Sequence, residues 1–300
     1  PRRHAMRRQT PPARGLRNAS VPAFAALALA LAGTAGLGGC AVAATPPAQS
    51  MKAQPSTPSP EVMRDLAPAG RLRVAINLGN VVLAQPGGPR GATGPSVDIA
   101  DELGRRLGVP VDFVIYNTAG DVVDRVAQDN WAIGFLAVDP KRSEQIAFTP
   151  PYVYIEGTYM VRTGSPYHAV AALDEAGRRI AVGKGAAYDL YLSRALRHAT
   201  LVRLPTSADA IVAFEQDSSL DSVAGVREAL VTEAARVPGY RVLPDAFNRI
   251  EQAITVPRGR AAGLAWAAAV IEELKARGFV RAALDRAGQK GARVADPAPR

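Results

Sequence analysis

The sequence predicts an α/β fold in which two successive sets of βαβ units build a mainly parallel sheet. Three observations lead there. Short β-rich runs alternate with apolar stretches spaced as helix faces. The alternation starts afresh near Ile155, within a long β-rich run, and no repeat of solenoid length interrupts it. Roughly 225 residues lie between two segments of low complexity, enough for one large domain or two small ones.

In chain order, residues 72–76 (Leu-Arg-Val-Ala-Ile) read as a strand. Residues 97–107 read as a helix with Ile99, Leu103 and Leu107 on one face, and 109–115 as a second strand. A helix over 121–128 and a strand over 132–137 follow. Asp139-Pro140-Lys141-Arg142 then opens a helix, with Asp at the N-cap and Pro in the first turn. The β-rich run spans 153–161. The second set takes strands at 179–182, 202–204, 221–226 and 241–243, with helices at 187–197 and 208–215. A strand over 252–256 and closing helices over 264–277 and 279–285 complete the chain. Such alternation defines helices packed on a parallel sheet.

The ends read differently. Arg2, Arg3, Arg7, Arg8, Arg14 and Arg17 precede an apolar run from Val21 to Leu37, and Leu37-Gly38-Gly39 leads into Cys40. A basic segment, an apolar segment and small residues before a cut are the parts of a secretion signal. Cys40 is the only cysteine, so no disulfide forms within the chain, and the stretch around it resembles a bacterial lipobox with Cys40 as the lipidated residue. An ordinary cleavage site and a retained anchor are the alternatives; a spanning helix needs ~20 apolar residues, more than this run supplies. The six leader arginines also account for most of the formal charge of +9; without them +3 remains. With no Lys/Arg run interleaved with aromatics, nucleic acid is not an expected partner. Residues 41–60 are rich in Ala, Pro, Ser, Thr and Gln, too poor in apolar surface to offset their ordering entropy. The expected organisation is a lipoprotein signal peptide (1–39), a disordered tether (40–66), a first lobe (67–155), a second lobe (156–249), a return to the first lobe (250–287) and a fraying tail (288–300).

Several stretches, in this order, resemble the family 3 extracellular solute-binding proteins of ABC importers, the polar amino-acid class. They are Gly70-Arg71-Leu72-Arg73-Val74-Ala75-Ile76, Gly94-Pro95-Ser96-Val97-Asp98-Ile99-Ala100 with Leu107-Gly108-Val109, and Asp139-Pro140-Lys141-Arg142 through Ile146-Ala147-Phe148-Thr149-Pro150-Pro151-Tyr152. The resemblance covers residues 70–288. It implies a type II periplasmic-binding-protein fold: two α/β lobes joined by two crossing strands, one near 155–160 and the other near 250–256, with a ligand closed into the cleft. It also implies a periplasmic or cell-envelope monomer that binds a small carboxylate and delivers it to an ABC permease in the inner membrane, held at the membrane by its lipid. No cofactor and no metal are implied.

The same resemblance, together with the residues' own placement along the chain, nominates ligand residues. Arg142 stands where the family's arginine grips a ligand carboxylate, chemistry suited to a planar guanidinium with two parallel donors; otherwise it is a solvated helix-start arginine. Gly185, Ala186, Ala187 and Tyr188 lie in a strand-to-helix turn whose backbone amides can receive an anion, or form a plain tight turn. Ala186 and Ala187 replace the family's hydroxyl residues, and Phe135 and Ala137 occupy its small and hydroxyl pocket positions. Val226 stands where several members carry the acid that holds an α-ammonium. Glu156 reads either as a substitute for that acid or as an exposed strand-edge residue. Asn77 and Asn80 follow the first strand, at the end where open α/β sheets bind ligands, or are turn formers. Tyr152 and Arg227 are further pocket candidates.

Two other functions share the fold. A cyclohexadienyl-dehydratase-like enzyme would need its acid-base Glu where this chain has Tyr188. A sensor read by a partner receptor would use the same cleft. His4, His168 and His198 are too scattered for a triad or a metal site, so the expectation is a binder rather than an enzyme.

Overall fold

The computed structural model describes residues 58–128 and 130–299; the leader, Cys40 and most of the proline-rich segment lie outside them. The elements are, in order, α1 (Pro60–Leu66), β1 (Leu72–Asn77), β2 (Gln85–Pro86), β3 (Ala92–Thr93), α2 (Pro95–Leu107), β4 (Val111–Tyr116), α3 (Ala119–Asp124), β5 (Ile133–Ala137), β6 (Ile146–Phe148) and β7 (Val153–Arg162). There follow β8 (Arg179–Gly183), α4 (Ala187–Ala195), β9 (Thr200–Leu204), α5 (Ser207–Gln216), β10 (Ser222–Val226), α6 (Arg227–Arg236), β11 (Tyr240–Val242), β12 (Asn248–Pro257), α7 (Ala261–Ala276), α8 (Phe279–Arg286) and β13 (Arg293–Val294).

The strands sort their side chains by parity. In β1, Leu72, Val74 and Ile76 enter a core built with α2, α7 and α8, while Ala75 enters one built with Trp131, Val122 and Leu136. In β8, Ile180 and Val182 face one core and Ala181 the other. A period of two with both faces apolar is what a sheet covered on both sides requires. The helices are placed by local signals: α2 starts on Gly94-Pro95 and stops at Gly108 with φ 71°, and α5 starts on a Thr206–Asp209 capping box.

β4, β1 and β5 run parallel in one half, and β10, β8 and β9 in the other. β7 and β12 run antiparallel between them, with Ile250 opposite Ile155 and Gln252 opposite Val153. β12 goes on to pair with β5, and β7 with β10. Two long strands therefore cross between the halves in opposite directions.

The structure departs from the sequence reading in four places. The helix expected from Asp139 is a single 3₁₀ turn, Arg142–Glu144; Asp139 accepts the Lys141 amide and β6 begins at Ile146, leaving no length for more. Residues 60–66 are not tether. Ser59 caps α1, and Val62 and Leu66 are buried. The tail after residue 287 packs: β13 pairs with Tyr154 and Val153 of β7, Ala292 and Ala295 are buried, and Lys275 Nζ donates to the Asp296 carbonyl. It binds through its backbone, which leaves no periodic apolar face in the sequence. Finally, α6 stands where no helix was anticipated, and β11 pairs antiparallel with β7 beside it.

Candidate ligand cleft

The carboxyl ends of β1, β4 and β5 in one half face the strand-to-helix turn before α4 in the other. Asn77 ends β1, and its Oδ1 accepts the Gly79 amide at 3.0 Å. Gly79 is held so close to β4 that a Cβ there would lie 2.7 Å from the Asn117 carbonyl oxygen. These ends, with Asn80, Thr118, Ala137, Arg142, Lys184, Ala186, Ala187, Tyr188, Ser207, Val226, Ile250 and Gln252 among the other walls, enclose a cavity of about 40 Å³. That is room for about three or four waters, at ~10–15 Å³ each. Two wider cavities continue it. One of about 1130 Å³ runs past Thr118, Lys141, Gly185 and Arg194, and one of about 370 Å³ past Asn80, Val81, Ile211 and Glu228.

Arg142 sits at the centre of this seam. It is 3% exposed. Its Nη1 donates to the Ala137 carbonyl and its Nη2 crosses to the Gly185 carbonyl, both at 2.9 Å. Among the described residues it forms no ion pair. Asp139, the nearest acid acting on it, pairs instead with Arg194 of the other half at 2.8 Å. Burial consequently pulls the Arg142 guanidinium down to about 10, with Asp139 offsetting part of the effect.

The turn opposite is itself well braced. Gly185, at φ 72°, turns its amide to Asp189 Oδ2 and its carbonyl to Arg142. Asp189 also accepts from Arg203. The Lys184 and Ala186 amides are bonded to Leu204 and Gly183. The amides this turn can offer an anion thus begin at Ala187, in the first turn of α4. The Tyr188 hydroxyl donates to Ser207 at 2.7 Å, and burial pushes it up to about 12.

Seven of the nominated residues therefore line the central cavity: Asn77, Asn80, Ala137, Arg142, Ala186, Ala187 and Tyr188, with Gly185 on the wider one. Four do not. Phe135 and Tyr152 lie in the core of the first half, edge to face with centroids 6.1 Å apart. Glu156 and Arg227 pair with each other at 2.6 Å, and both line a separate cavity with Tyr154, Arg249 and Lys290. Cys40 lies outside the described residues. Asn117, Thr118, Ser207 and Gln252 were not anticipated. The signal for the first two was the one that picked out Asn77: polar residues at a strand's carboxyl end. Among the described residues no group of three or more His, Cys, Asp or Glu could hold a metal, and no helix is long and apolar enough to cross a membrane.

Two α/β halves, two crossing strands and a buried cation on the seam describe a two-lobed binding protein. Solved structures share the fold. A mutant of ArgBP from T. maritima superposes with TM-score 0.65 at 19% identity, covering 76% of this chain and 100% of that one. The cysteine-binding protein from Campylobacter jejuni gives 0.64 at 18%, covering 73% and 89%. An amino acid ABC transporter substrate-binding protein from Streptococcus pneumoniae, bound to L-arginine, gives 0.65 at 18%, covering 78% and 99%. No curated protein matches the chain. The profile of bacterial extracellular solute-binding proteins, family 3, matches residues 82–289, and the chain belongs to that family. It is a solute-binding protein of the type II periplasmic-binding-protein fold, and its family acts outside the cytoplasm.

Proposed function

We propose that the chain captures a small carboxylate-bearing solute, an amino acid or related organic acid, between its lobes and presents it to an ABC permease, with Cys40 as a lipid anchor. One observation carries the reading: Arg142 is buried on the seam with carbonyls but no carboxylate to neutralise it. A buried charge without a counter-ion is costly, and an anionic ligand supplies one. A guanidinium carries five N–H donors, so a carboxylate can bond to it while the Ala137 carbonyl holds the side chain in place. The amides from Ala187 onward, at the positive end of α4, favour the same anion.

The central cavity is smaller than such a ligand, so entry requires the lobes to part. Closure around the solute then brings Arg142 and the first turn of α4 to it, a hinge motion of the usual kind. The test is isothermal titration of the folded chain with amino acids, dicarboxylates and aromatic acids, repeated on Arg142→Ala. Binding of a carboxylate that Arg142→Ala abolishes supports the reading. Undiminished binding to the variant sinks it.

A further inference from the structure

Residues 288–293 run past the end of the family match, at 289, and across the back of the crossing strands. In the β7–β12 pairing, Ile250 and Gln252 face the central cavity, while Tyr154, Glu156 and Arg249 take the opposite face of the pleat. That far face floors the separate cavity, of about 720 Å³. One wall is α6 of the second lobe, with Arg227, Glu228 and Val231, and the other is residues 288–293, which follow α8 of the first lobe. This segment is anchored from the first lobe. Arg281 of α8 donates to the Gln289 carbonyl at 3.1 Å and to the Ala292 carbonyl at 2.9 Å. β13 pairs with Tyr154 and Val153, and the Ala295 amide donates to the Tyr152 carbonyl. Between the two carbonyls that Arg281 holds, Gly291 meets the second lobe: a Cβ there would lie 2.8 Å from Glu228 Oε1 and 3.1 Å from Glu228 Cγ. Gly291 is outside the left-handed region, so its backbone does not call for glycine; the nearness of Glu228 does.

Lobes that part on the cleft face turn about the crossing strands and approach each other on the far face. The gap that narrows is the cavity behind those strands, and at Gly291 it has no room for one more atom. We propose that residues 288–293 are a strap that stops the opening: Glu228 of α6 runs against Gly291, which Arg281 holds in place on both sides. The strap limits how far the lobes part and so raises the share of molecules in the closed, binding-competent form, which tightens apparent affinity without touching the ligand. This rests on the parting of the lobes proposed above, and not on the ligand being a carboxylate.

The experiment measures the distance between spin labels at Asp124→Cys and Ala195→Cys by pulsed electron resonance, in the ligand-free chain carrying Cys40→Ser. Both label sites are exposed, on opposite lobes beside the cavity of about 1130 Å³. Glu228→Ala removes the stop and should raise the ratio of open to closed molecules by about threefold or more. Gly291→Leu thickens the stop and should lower that ratio. Gly291→Ala should lower it by less, and it decides the matter if the leucine variant fails to fold, which thermal melting reveals. In Glu228→Ala/Gly291→Leu the added side chain has lost what it pressed on, and the distribution should return toward that of the wild type. Distances that match the wild type in every folded variant overturn the strap, as do shifts of the same sign in Glu228→Ala and Gly291→Ala, or a double variant as closed as Gly291→Leu. A single short distance in wild type and variants alike overturns the strap and the parting of the lobes with it. Opposite shifts in a chain that binds no carboxylate by titration leave the strap standing and remove the carboxylate reading.

Discussion

Arg142 and Arg227 are two arginines at the waist of one molecule, and they have been given opposite surroundings. Arg227 holds Glu156 at 2.6 Å and two carbonyls, those of Leu243 and Asp245. It ties the start of α6 to β7 and to the loop before β12, and its charge is answered from within. Arg142 is the more deeply enclosed, yet it has two carbonyls and no acid. The difference teaches that burial alone does not mark a binding residue. A buried charge whose counter-charge the chain withholds is what leads us to propose Arg142 as one.

The contrast can be broken in order of expected effect. Arg142→Ala should cost about 100-fold or more in affinity for any carboxylate ligand, the scale of a buried charge pair losing one partner. Titration calorimetry reads it, and Arg142→Lys should recover only part, since an ammonium cannot match the planar fork. Arg227→Ala should do the reverse. It should lower stability by about 1–3 kcal/mol, from the acceptors it leaves unmet, and leave affinity unchanged, as urea unfolding beside the same titration would show. Arg194→Ala removes a pair that spans the lobes and whose arginine is half open to water, and should weaken ligand binding by roughly 0.5–1 kcal/mol. That loss should shrink at high salt in the wild-type comparison, because exposed charges are screened.

The smallest effect belongs to a carboxylate answered by two arginines of its own helix. Glu102 lies between Arg105 and Arg106, and its bond to Arg105 is the main cause that brings its carboxyl down from 4.5 to about 2. Its contribution to stability is therefore present above pH 4.5 and is lost as pH falls toward 2. Glu102→Gln should flatten that part of a stability-against-pH curve and lower stability at neutral pH by the same amount, about 0.5–1 kcal/mol for two helix pairs.

Most of the framework was legible because parallel strands covered on both faces leave continuous apolar runs, as in β1, β5 and β8. Arg142 was legible through its neighbours in sequence. What failed did so for geometric reasons. Phe135 and Ala137 share one face of β5, but only Ala137, at the strand's end, reaches the cleft; Phe135 is two residues down and sits in the core. Tyr152 enters that core where the chain turns into β7. Glu156 looked available for a ligand until β12 and α6 brought Arg227 against it, a partner 71 residues away.

The family match ends at residue 289, yet the chain continues into β13, which runs alongside the strand that links the lobes. Arg293 and Arg249 both lie over the ring of Tyr154, at 5.1 and 4.3 Å. For protein engineering this matters. Trimming the chain at the match boundary strips a splint from the swivel, and a fluorescent reporter fused just past residue 295 would be attached to the swivel itself. Under the proposed hinge motion it would report opening and closing directly.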